Sequence, residues 1–391
     1  MPLSKGPQVF PRTEYLRRLA AVKSELMRQN IETLVVSSLA NIAYLTGSIV
    51  RHTGPQCLVI SIHKEGPTFI VRRADFAAAI YQTYLERDNL IVSPENRVAT
   101  PDIDGYDAVI DFLHEAGLAN GVVGLELNQI PAETAEKFKR RLPQARIVDS
   151  KKAVNWVRLI KSNFEISVMK EAAAIADAAI MRAIEVMRPG ARETDIVADI
   201  VATQVRGAKG HPGTGFPPTA PLFFCSSPRT GAAHIPWSED TIRDGSQINL
   251  EVSGVRHGYV VPLMRTFSVG SPSDRLLRRH EAHLAGLEAA LNTVRPGATC
   301  SDVAGAFYRT IEKLGLKKDT RCGYSVGIDW AEQTASLNDV DKTELKPNMT
   351  FHLMLGNWME EDFGYVISET FRVIESGVEV LTNMPRKLFE V

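Results

Sequence analysis

The sequence has few cysteines and no motif built from them. Its 391 residues include four, Cys57, Cys225, Cys300 and Cys322, and these lie too far apart to form a CxxC pair or a Cys/His cluster. This spacing excludes a disulfide-stabilised secreted fold and the common structural zinc motifs. We therefore expect reduced cysteines in a cytoplasmic protein, with Cys225 and Cys322 acting as small apolar residues rather than as catalytic thiols.

Long apolar runs and an excess of one charge are also absent. No stretch approaches the ~20 apolar residues that span a bilayer, and the start MPLSKGPQVFPRTEY has no apolar segment of the signal-peptide kind. The net charge is −1, without a basic block, so the sequence predicts no nucleic-acid or membrane partner. The N-terminal part contains no GxGxxG or GxxxxGK loop, which leaves nucleotide binding without support.

The composition that remains is that of an ordinary globular protein, with 44% hydrophobic and 23% charged residues and a length that allows two domains. Residues 1–155 alternate strand-like runs, such as ETLVVSS, CLVISIH and VVGLEL, with amphipathic segments at 15–29, 74–86 and 132–141. This alternation predicts an α/β domain with a mixed sheet over residues 1–155.

Residues 156–391 have a different texture. Helical periodicity over 164–187 ends at the sequence RPGA, residues 188–191, and a second helix is predicted directly after it. RPGA recurs at 295–298, again followed by an acidic residue in the first turn of the next predicted helix. The repeated order of helix, RPGA, helix and strands favours two similar halves with a cleft between their sheets. A chance match of two short motifs is the alternative.

Residues 247–270, QINLEVSGVRHGYVVPLMRTFSVG, form a predicted strand pair with a high polar content. Glu251 directly follows the apolar run Ile248-Asn249-Leu250, and a buried carboxylate is costly unless something pairs with it. We predict that Glu251 faces a cavity, although a solvent-facing glutamate is equally compatible with the local pattern.

Four motifs follow one another in the second part of the chain: AAHIP, the hairpin GY…RTF, GYSVG, and KPNMTF followed by ISETFRV. In this order and spacing the chain resembles the pita-bread family of creatinase, prolidase and methionine aminopeptidase over nearly its whole length. The resemblance implies an α+β pita-bread catalytic domain with pseudo-two-fold αβ halves over 156–391. A creatinase-type N-terminal α/β domain over 1–155 would precede it.

Metal-dependent members of this family bind two divalent ions through two Asp, one His and two Glu. Placed by motif, those positions hold Glu251, Pro262, Tyr324, Met354 and Glu369. Proline and methionine offer no hard oxygen ligand, and two carboxylates alone cannot bridge and neutralise two divalent cations. We therefore expect no metal and no other cofactor, which makes Xaa-Pro dipeptidase activity an unfavoured alternative.

Metal-free creatinase is the nearer likeness, and it implies that His234 in AAHIP is the general base and acid, with a core imidazole as the alternative. The tail from GYSVGIDWAEQTASL to PRKLFEV is similar to the ectoine hydrolase branch of the family. A cyclic amidinium needs a base to activate water and anionic partners for its N–H groups. Glu251 and Glu369 are the predicted partners.

A second set of side chains is predicted to bind the substrate: Tyr259, Tyr324, Arg51, His52, Trp330, Glu332 and Trp358. The tyrosines are candidate donors to a tetrahedral intermediate, or equally buried tyrosines that satisfy a neighbouring group. Arg51 or His52 is expected to hold a substrate carboxylate, and for Arg51 a solvated loop position is the alternative. The corresponding creatinase segment reaches the partner subunit's active site, which implies a homodimer with shared sites. For Trp330 and Trp358, core packing is the alternative.

Together these features predict a cytoplasmic, metal-independent hydrolase of a small cyclic amidine. Ectoine is the leading substrate, opened at a C–N bond to an N-acetyl-diaminobutyrate. A creatinase-type amidinohydrolase, a metal-dependent Xaa-Pro dipeptidase and a non-catalytic peptide-binding module are the alternatives. The presence of His234, Glu251 and Glu369 together argues against the last of these.

Overall fold

The computed structural model describes residues 3–50, 55–97, 103–214 and 222–391. The chain divides into two compact units, Met1–Arg158 and Leu159–Val391. Within the described ranges, no helix is both long and apolar enough to cross a membrane.

The first unit contains a six-stranded mixed sheet. Its strands are β1 (Thr33–Val36), β2 (Cys57–Ser61), β3 (Thr68–Arg72), β4 (Leu90–Ser93), β5 (Val122–Leu125) and β6 (Arg146–Asp149). They lie in the order β4-β3-β2-β1-β5-β6, with β1 antiparallel to β2 and parallel to β5. Every residue of β1 and β2 is buried. Burial on both faces explains why these strands read as continuous apolar runs rather than as alternating patterns.

Among the described residues, six helices accompany this sheet: α1 (Arg12–Arg28), α2 (Leu39–Thr46), α3 (Phe76–Gln82), α4 (Gly105–Glu115), α5 (Ala132–Arg141) and α6 (Ala153–Arg158), with short 3-10 turns at Arg73–Asp75, Arg87–Asn89 and Glu95–Arg97. The helix predicted over 74–86 is therefore shorter than expected. It ends because Thr83 is extended (φ −92°, ψ 154°) and its hydroxyl donates to the carbonyl oxygen of Ala79 (2.7 Å).

The part of the second unit that the structure describes contains four helices and most of the strands. The helices are α7 (Asn163–Val186), α8 (Glu193–Arg206), α9 (Asp274–Thr293) and α10 (Cys300–Lys313), with a 3-10 turn at Arg229–Gly231. The strands are β7 (Phe223–Ser226), β8 (Gln247–Arg256), β9 (Tyr259–Ser268), β10 (Gly323–Ser325), β11 (Ser336–Leu337), β12 (Thr350–Met354), β13 (Asn357–Glu360), β14 (Phe363–Tyr365), β15 (Ser368–Ile374), β16 (Gly377–Val380) and β17 (Phe389–Glu390).

Two larger sheets organise these strands, in the orders β17-β9-β8-β7 and β11-β10-β12-β15-β16, with β13 and β14 pairing separately. Each sheet has an apolar face covered by helices. α7 and α8 supply the core beneath β8 and β9, and α9 and α10 supply the core beneath β12 and β15. Burying one face of each sheet against a helix pair is the layered arrangement expected of an α+β fold.

The two RPGA sequences have matching surroundings. Gly190 and Gly297 both adopt a positive φ, +83° and +84°. The N–H of Gly190 donates to the carbonyl of Ile242 (2.8 Å), and that of Gly297 donates to the carbonyl of Leu345 (3.0 Å). In return the N–H of Ile242 donates to Ala191, and the N–H of Leu345 to Ala298. Identical backbone bonding in both halves supports the predicted duplication and removes chance as its explanation.

Two strand-like runs near the C-terminus, TFHLMLGNWM and YVISETFRVI, are interrupted. The runs 350–359 and 365–374 each contain a break, so that β12 is separate from β13, and β14 from β15. At the second break the N–H of Val366 donates to the hydroxyl of Thr266 (3.0 Å) instead of to a strand partner. A side chain on β9 thus replaces one ladder hydrogen bond and ends the strand.

Candidate active site

Strand alternation gives the β8–β9 hairpin two chemically different faces. Ile248, Leu250 and Val252 belong to the core shared with α7 and α8. Asn249 and Glu251 lie between them and therefore project to the opposite face. On that face the amide of Asn249 donates to the carbonyl of Gly364 (3.0 Å). The polar side chains of the hairpin thus collect where β9 approaches the second sheet.

The second sheet presents its own polar side chains to this hairpin: Tyr324, His352, Ser368 and Thr370. Tyr324 pairs with His352, and His352 pairs with Thr370, across three adjacent strands, so these side chains share one face. The N–H of Met264 donates to Ser368 Oγ (2.7 Å) and joins the two sheets. The candidate site lies between these polar surfaces.

Glu251 is a buried carboxyl without a cation beside it. It is 6% exposed, and no described group lies within hydrogen-bond distance of its Oε1. Burial raises the pKa of Glu251 to about 8, because no positive charge offsets the loss of water. The pKa of Tyr324 is raised by burial and then by the charge of Glu251, which makes these two residues neighbours. Glu251 is therefore buried rather than solvent-facing, and it is protonated at neutral pH.

His234 lies on an irregular, exposed segment after β7. Its ring meets the ring of Phe223 edge-on, with centroids 5.1 Å apart, and Phe223 is paired with Glu251 across β7 and β8. The ring of Trp358 lies 6.5 Å from the His234 ring on another side. Phe223 thus packs on the His234 ring from the strand position opposite Glu251, and His234 is exposed.

The segment that carries His234 is held by Glu193, at the start of α8. Arg229 Nη2 donates to Glu193 Oε1 (2.6 Å), and the N–H of Ser238 donates to Glu193 Oε2 (2.7 Å). Arg229 Nη1 also donates to the carbonyl of Pro236 (3.3 Å). Because Glu193 is fully buried, it fixes both ends of the loop and leaves the imidazole between them free to face outward.

Glu369 is on the other face of its strand. Its register partner is Leu353, which belongs to the core under α9 and α10, whereas the neighbouring Ser368 faces the cleft. Glu369 accepts hydrogen bonds from Arg265 Nη2 (2.8 Å), Arg386 Nε (3.1 Å) and the hydroxyl of Thr382. These contacts occupy both carboxylate oxygens, so the geometry favours a structural ion pair over the predicted contact with substrate.

Tyr259 and Glu332 are also engaged in the framework. The hydroxyl of Tyr259 donates to Glu165 Oε1 (2.9 Å) at the first turn of α7, which corresponds to the buried-tyrosine alternative. Glu332 Oε2 lies 2.7 Å from Lys161 Nζ, and both side chains are 1% exposed. The described contacts of these two predicted substrate-binding residues are thus with the protein itself.

The two tryptophans lie closer to the cleft. Trp330 Nε1 donates to the Tyr324 hydroxyl (2.7 Å). The Trp358 ring packs on Gly364, where a Cβ would overlap it, and faces His234. Both tryptophans are half-buried and suited to form a wall. The predicted carboxylate-binding residues Arg51 and His52 lie outside the described residues.

Sequence reasoning missed Phe223, Ser368 and His352. His352 is fully buried, with Nε2 2.8 Å from Ser368 Oγ and Nδ1 3.3 Å from the Tyr324 hydroxyl. Burial, followed by the charge of Arg321, lowers the pKa of His352 to about 3, so its ring is neutral. A histidine inside the apolar run TFHLM was the signal that could have found it, since a buried imidazole requires polar partners.

The cysteines do not contribute a nucleophile. All four are buried, and burial raises the pKa of Cys225 to about 11 and that of Cys322 to about 12. A thiol needs a lowered pKa to be nucleophilic at neutral pH. The environments of Cys225 and Cys322 therefore agree with the apolar role predicted for them.

Two family descriptions match most of the chain. The creatinase/prolidase N-terminal domain matches residues 18–160, and metallopeptidase family M24 matches residues 167–375. The chain belongs to metallopeptidase family M24. Membership confirms the predicted fold class, a pita-bread catalytic domain preceded by a creatinase-type N-terminal domain.

Relatives extend the match over the full chain. The chain is 63% identical to "uncharacterized hydrolase/peptidase y4tL" of Sinorhizobium fredii, over 99% of each chain. It is 34% identical to the ectoine hydrolase of Halomonas elongata, over 97% of this chain and 98% of the relative. Among solved structures, the dipeptidase PepE of Mycobacterium ulcerans superposes with a TM-score of 0.83 at 23% identity, covering 98% of this chain and 99% of that one, which supports the fold. The M24 chain is accordingly a hydrolase.

The metal centre after which the family is named does not fit this site. Among the described residues, no three His, Cys, Asp or Glu side chains come together as a group that could hold an ion. Of the five family positions, Glu251 faces the cleft as a carboxyl, Tyr324 as a phenol and Met354 as a thioether, while Glu369 is paired with arginine. One hard anionic ligand is too few for a pair of divalent cations.

Proposed function

We propose that this M24 chain is a metal-independent hydrolase that opens a C–N bond of a small cyclic amidine, with ectoine as the leading substrate. The observation that carries the proposal is the environment of Glu251, a buried carboxyl with no counter-ion among the described residues. An amidinium would supply the missing positive charge through N–H groups that donate to the carboxylate. The full-length likeness to an ectoine hydrolase supports the same substrate class.

The chemistry is an addition followed by an elimination. Water adds to the amidinium carbon, and His234 takes its proton as general base. The bond from that carbon to one ring nitrogen then breaks, and His234 returns the proton to the leaving nitrogen. The proton of the added hydroxyl is released as the carbonyl forms and ends on the freed amine, so that the amidinium and water become an amide and an ammonium group. The carbon keeps the oxygen as an amide carbonyl, which gives an N-acetyl-diaminobutyrate from ectoine. An amidinium is already polarised, so this step needs no Lewis acid.

Other predicted residues enter this proposal in different ways. Glu369 acts indirectly, by fixing Arg265 and the strand that carries Ser368. Tyr324 is the proposed donor to the developing oxygen, and Trp330 and Trp358 are the proposed walls. We also predict that Arg51 or His52 binds the substrate carboxylate. A homodimer with shared active sites remains a further prediction.

The test is an assay of the full-length protein after exhaustive treatment with a chelator. We expect it to hydrolyse ectoine and to release an N-acetyl-diaminobutyrate, detected by NMR, with creatine and a Xaa-Pro dipeptide left intact. The variant His234→Asn should lose turnover while keeping the fold. General-base catalysis typically contributes about 10²–10⁴-fold.

The same assay distinguishes the alternatives. Dipeptide cleavage that appears on addition of Mn²⁺ or Co²⁺ would replace the proposal by the peptidase activity that the family name describes. Hydrolysis of creatine to urea would indicate an amidinohydrolase. Absence of turnover on all three substrates would leave a peptide-binding module.

A further inference from the structure

Ser368, His352, Tyr324 and Trp330 form a chain of hydrogen bonds along the cleft. Ser368 Oγ lies 2.8 Å from His352 Nε2, and His352 Nδ1 lies 3.3 Å from the Tyr324 hydroxyl. Trp330 Nε1 donates to the same hydroxyl. Ser368 and His352 are both 0% exposed. Since a neutral imidazole carries one N–H, the position of that proton decides the direction of every bond in the chain.

A proton on Nε2 leaves a sealed group unsatisfied. Nε2–H would donate to Ser368 Oγ, which already accepts the N–H of Met264 (2.7 Å). The hydroxyl proton of Ser368 would then have no acceptor among the described residues, at a position closed to water. A buried donor without an acceptor is unfavourable, because its lost hydrogen bond to water is not replaced. The Tyr324 hydroxyl would at the same time donate its hydrogen bond to His352 Nδ1.

A proton on Nδ1 satisfies the buried end of the chain. Ser368 accepts from Met264 and donates to Nε2, so that both of its functions are used. Nδ1–H and Trp330 Nε1–H then both donate to the Tyr324 oxygen, which fills its acceptor capacity. The remaining proton, that of the Tyr324 hydroxyl, has to point away from both donors and into the cleft, where the Glu251 carboxyl is the neighbouring group.

We infer that Ser368 and His352 are positioning residues that turn the Tyr324 hydroxyl into a fixed hydrogen-bond donor aimed into the cleft. Resting on the proposed function, this makes Tyr324 the donor to the oxygen that water brings to the amidinium carbon. A donor fixed before the reaction stabilises that developing charge without reorganising first. This hydrogen-bond chain thus makes Tyr324 an electrophilic group. The same position holds a histidine ligand in metal-dependent relatives.

The first experiment needs no substrate. The full-length protein, labelled with ¹⁵N-histidine, is examined by long-range ¹H–¹⁵N NMR, and the His352 signals are assigned by their loss in His352→Gln. We expect Nδ1 to be the protonated nitrogen at neutral pH. Protonation of Nε2 would mean that the Tyr324 proton points to His352, and the inference would fall whatever the enzyme hydrolyses.

The second experiment measures the consequence for turnover with ectoine as the probe. Ser368→Ala should lower kcat by about 10-fold or more, the scale of a misaimed oxyanion donor, with little change in KM. Ser368→Thr keeps the hydroxyl and should restore kcat, which separates positioning from packing. Tyr324→Phe combined with Ser368→Ala should be no slower than Tyr324→Phe alone.

The outcomes can be told apart. Multiplicative losses in the double variant would show that Ser368 does not act through Tyr324. A wild-type protein that leaves ectoine intact would contradict the proposed function. The protonation state of His352 would still test whether the Tyr324 hydroxyl points into the cleft.

Discussion

Buried glutamates in the catalytic unit differ in what neutralises them. Glu332 has Lys161 at 2.7 Å, and Glu369 has Arg265 at 2.8 Å. Glu251 has no such partner among the described residues, and its pKa is raised to about 8. Because folding raises its pKa, Glu251 holds its proton more tightly in the folded protein than in the unfolded chain. Its contribution to stability should therefore decrease as pH rises, whereas that of a carboxylate with a lowered pKa increases.

The stability of the protein should therefore fall as pH rises from about 4.5 to about 8 through Glu251. Across this window the folded state keeps the proton of Glu251 and the unfolded state releases it, because the pKa is raised from 4.5 to about 8 on folding. At full titration a shift of this size corresponds to on the order of 5 kcal/mol. Glu251→Gln should match the wild type in urea unfolding at pH 4 and exceed it at pH 9.

Glu239→Gln, at an exposed position, is the control for that measurement and should show no such divergence. An offset between Glu251→Gln and the wild type that is equal at both pH values would contradict the assigned protonation.

Binding of a cationic amidine should release a proton from Glu251. Below its pKa the carboxyl has to ionise before it can pair with an amidinium, so affinity for ectoine should rise by about tenfold per pH unit up to about pH 8. Calorimetry at pH 7 in two buffers of different ionisation enthalpy should find close to one proton released per ligand. Glu251→Gln should bind more weakly and release none.

At the scale of elements, the β8–β9 hairpin depends on close approach to α7. Gly254 lies where the strand crosses this helix, and a Cβ there would overlap the carbonyl oxygen of Ala172 and crowd the backbone N of Ala176. Backbone atoms cannot rotate away as a side-chain end can. This close contact sets the distance between the β8–β9 hairpin and α7, and hence the position of Glu251 on β8.

Gly254→Ala should lower the free energy of unfolding by about 3 kcal/mol or more, near the upper end for overpacked cores. Gly66→Ala is the matched control, because its Cβ would meet the end of the flexible Asn89 side chain at 3.3 Å. Chemical denaturation measures both. A Gly254→Ala variant as stable as the control would show that the hairpin can lift off α7 at little cost.

Faces of strands were harder to predict than the strands themselves. The hairpin at 247–270 could be located from its apolar runs, yet the motif ISETFRV did not reveal which of Ser368 and Glu369 enters the cleft. A shift of one residue reverses the face of a side chain, and that register is set by partners such as Leu353, far away in sequence. His352 was missed for the same reason: its partners belong to other strands.

At the scale of the whole molecule, the duplicated halves were the most readable feature. Two RPGA sequences predicted them, and the matched hydrogen bonds of Gly190 and Gly297 bear them out. A helix end followed by a positive-φ glycine is local chemistry, which a sequence records directly. The meeting of the two halves is not local, because it depends on tertiary contacts such as that between Met264 and Ser368.

A buried ion pair joins distant parts of the catalytic unit, Lys161 before α7 and Glu332 beyond β10. Lys161 is the described ion-pair partner of the buried Glu332 carboxylate, so Lys161→Met should cost about 3–5 kcal/mol in unfolding free energy. The double variant Lys161→Met/Glu332→Gln, in which both charges of the pair are removed, should recover much of that loss. Equal losses in the single and double variants would assign the cost to packing rather than to charge.

The isolation of Glu251 also affects which molecules the cleft accepts. A cyclic amidine and the lactam of the same outline differ little in shape, but the first is a cation and the second is not. A lactam would leave the carboxyl protonated and gain little from it, whereas a cation would pair with the ionised form and together with it carry no net charge. The cleft would thus bind the amidine more tightly than a lactam of the same shape because of the difference in charge, without a further contact that distinguishes them.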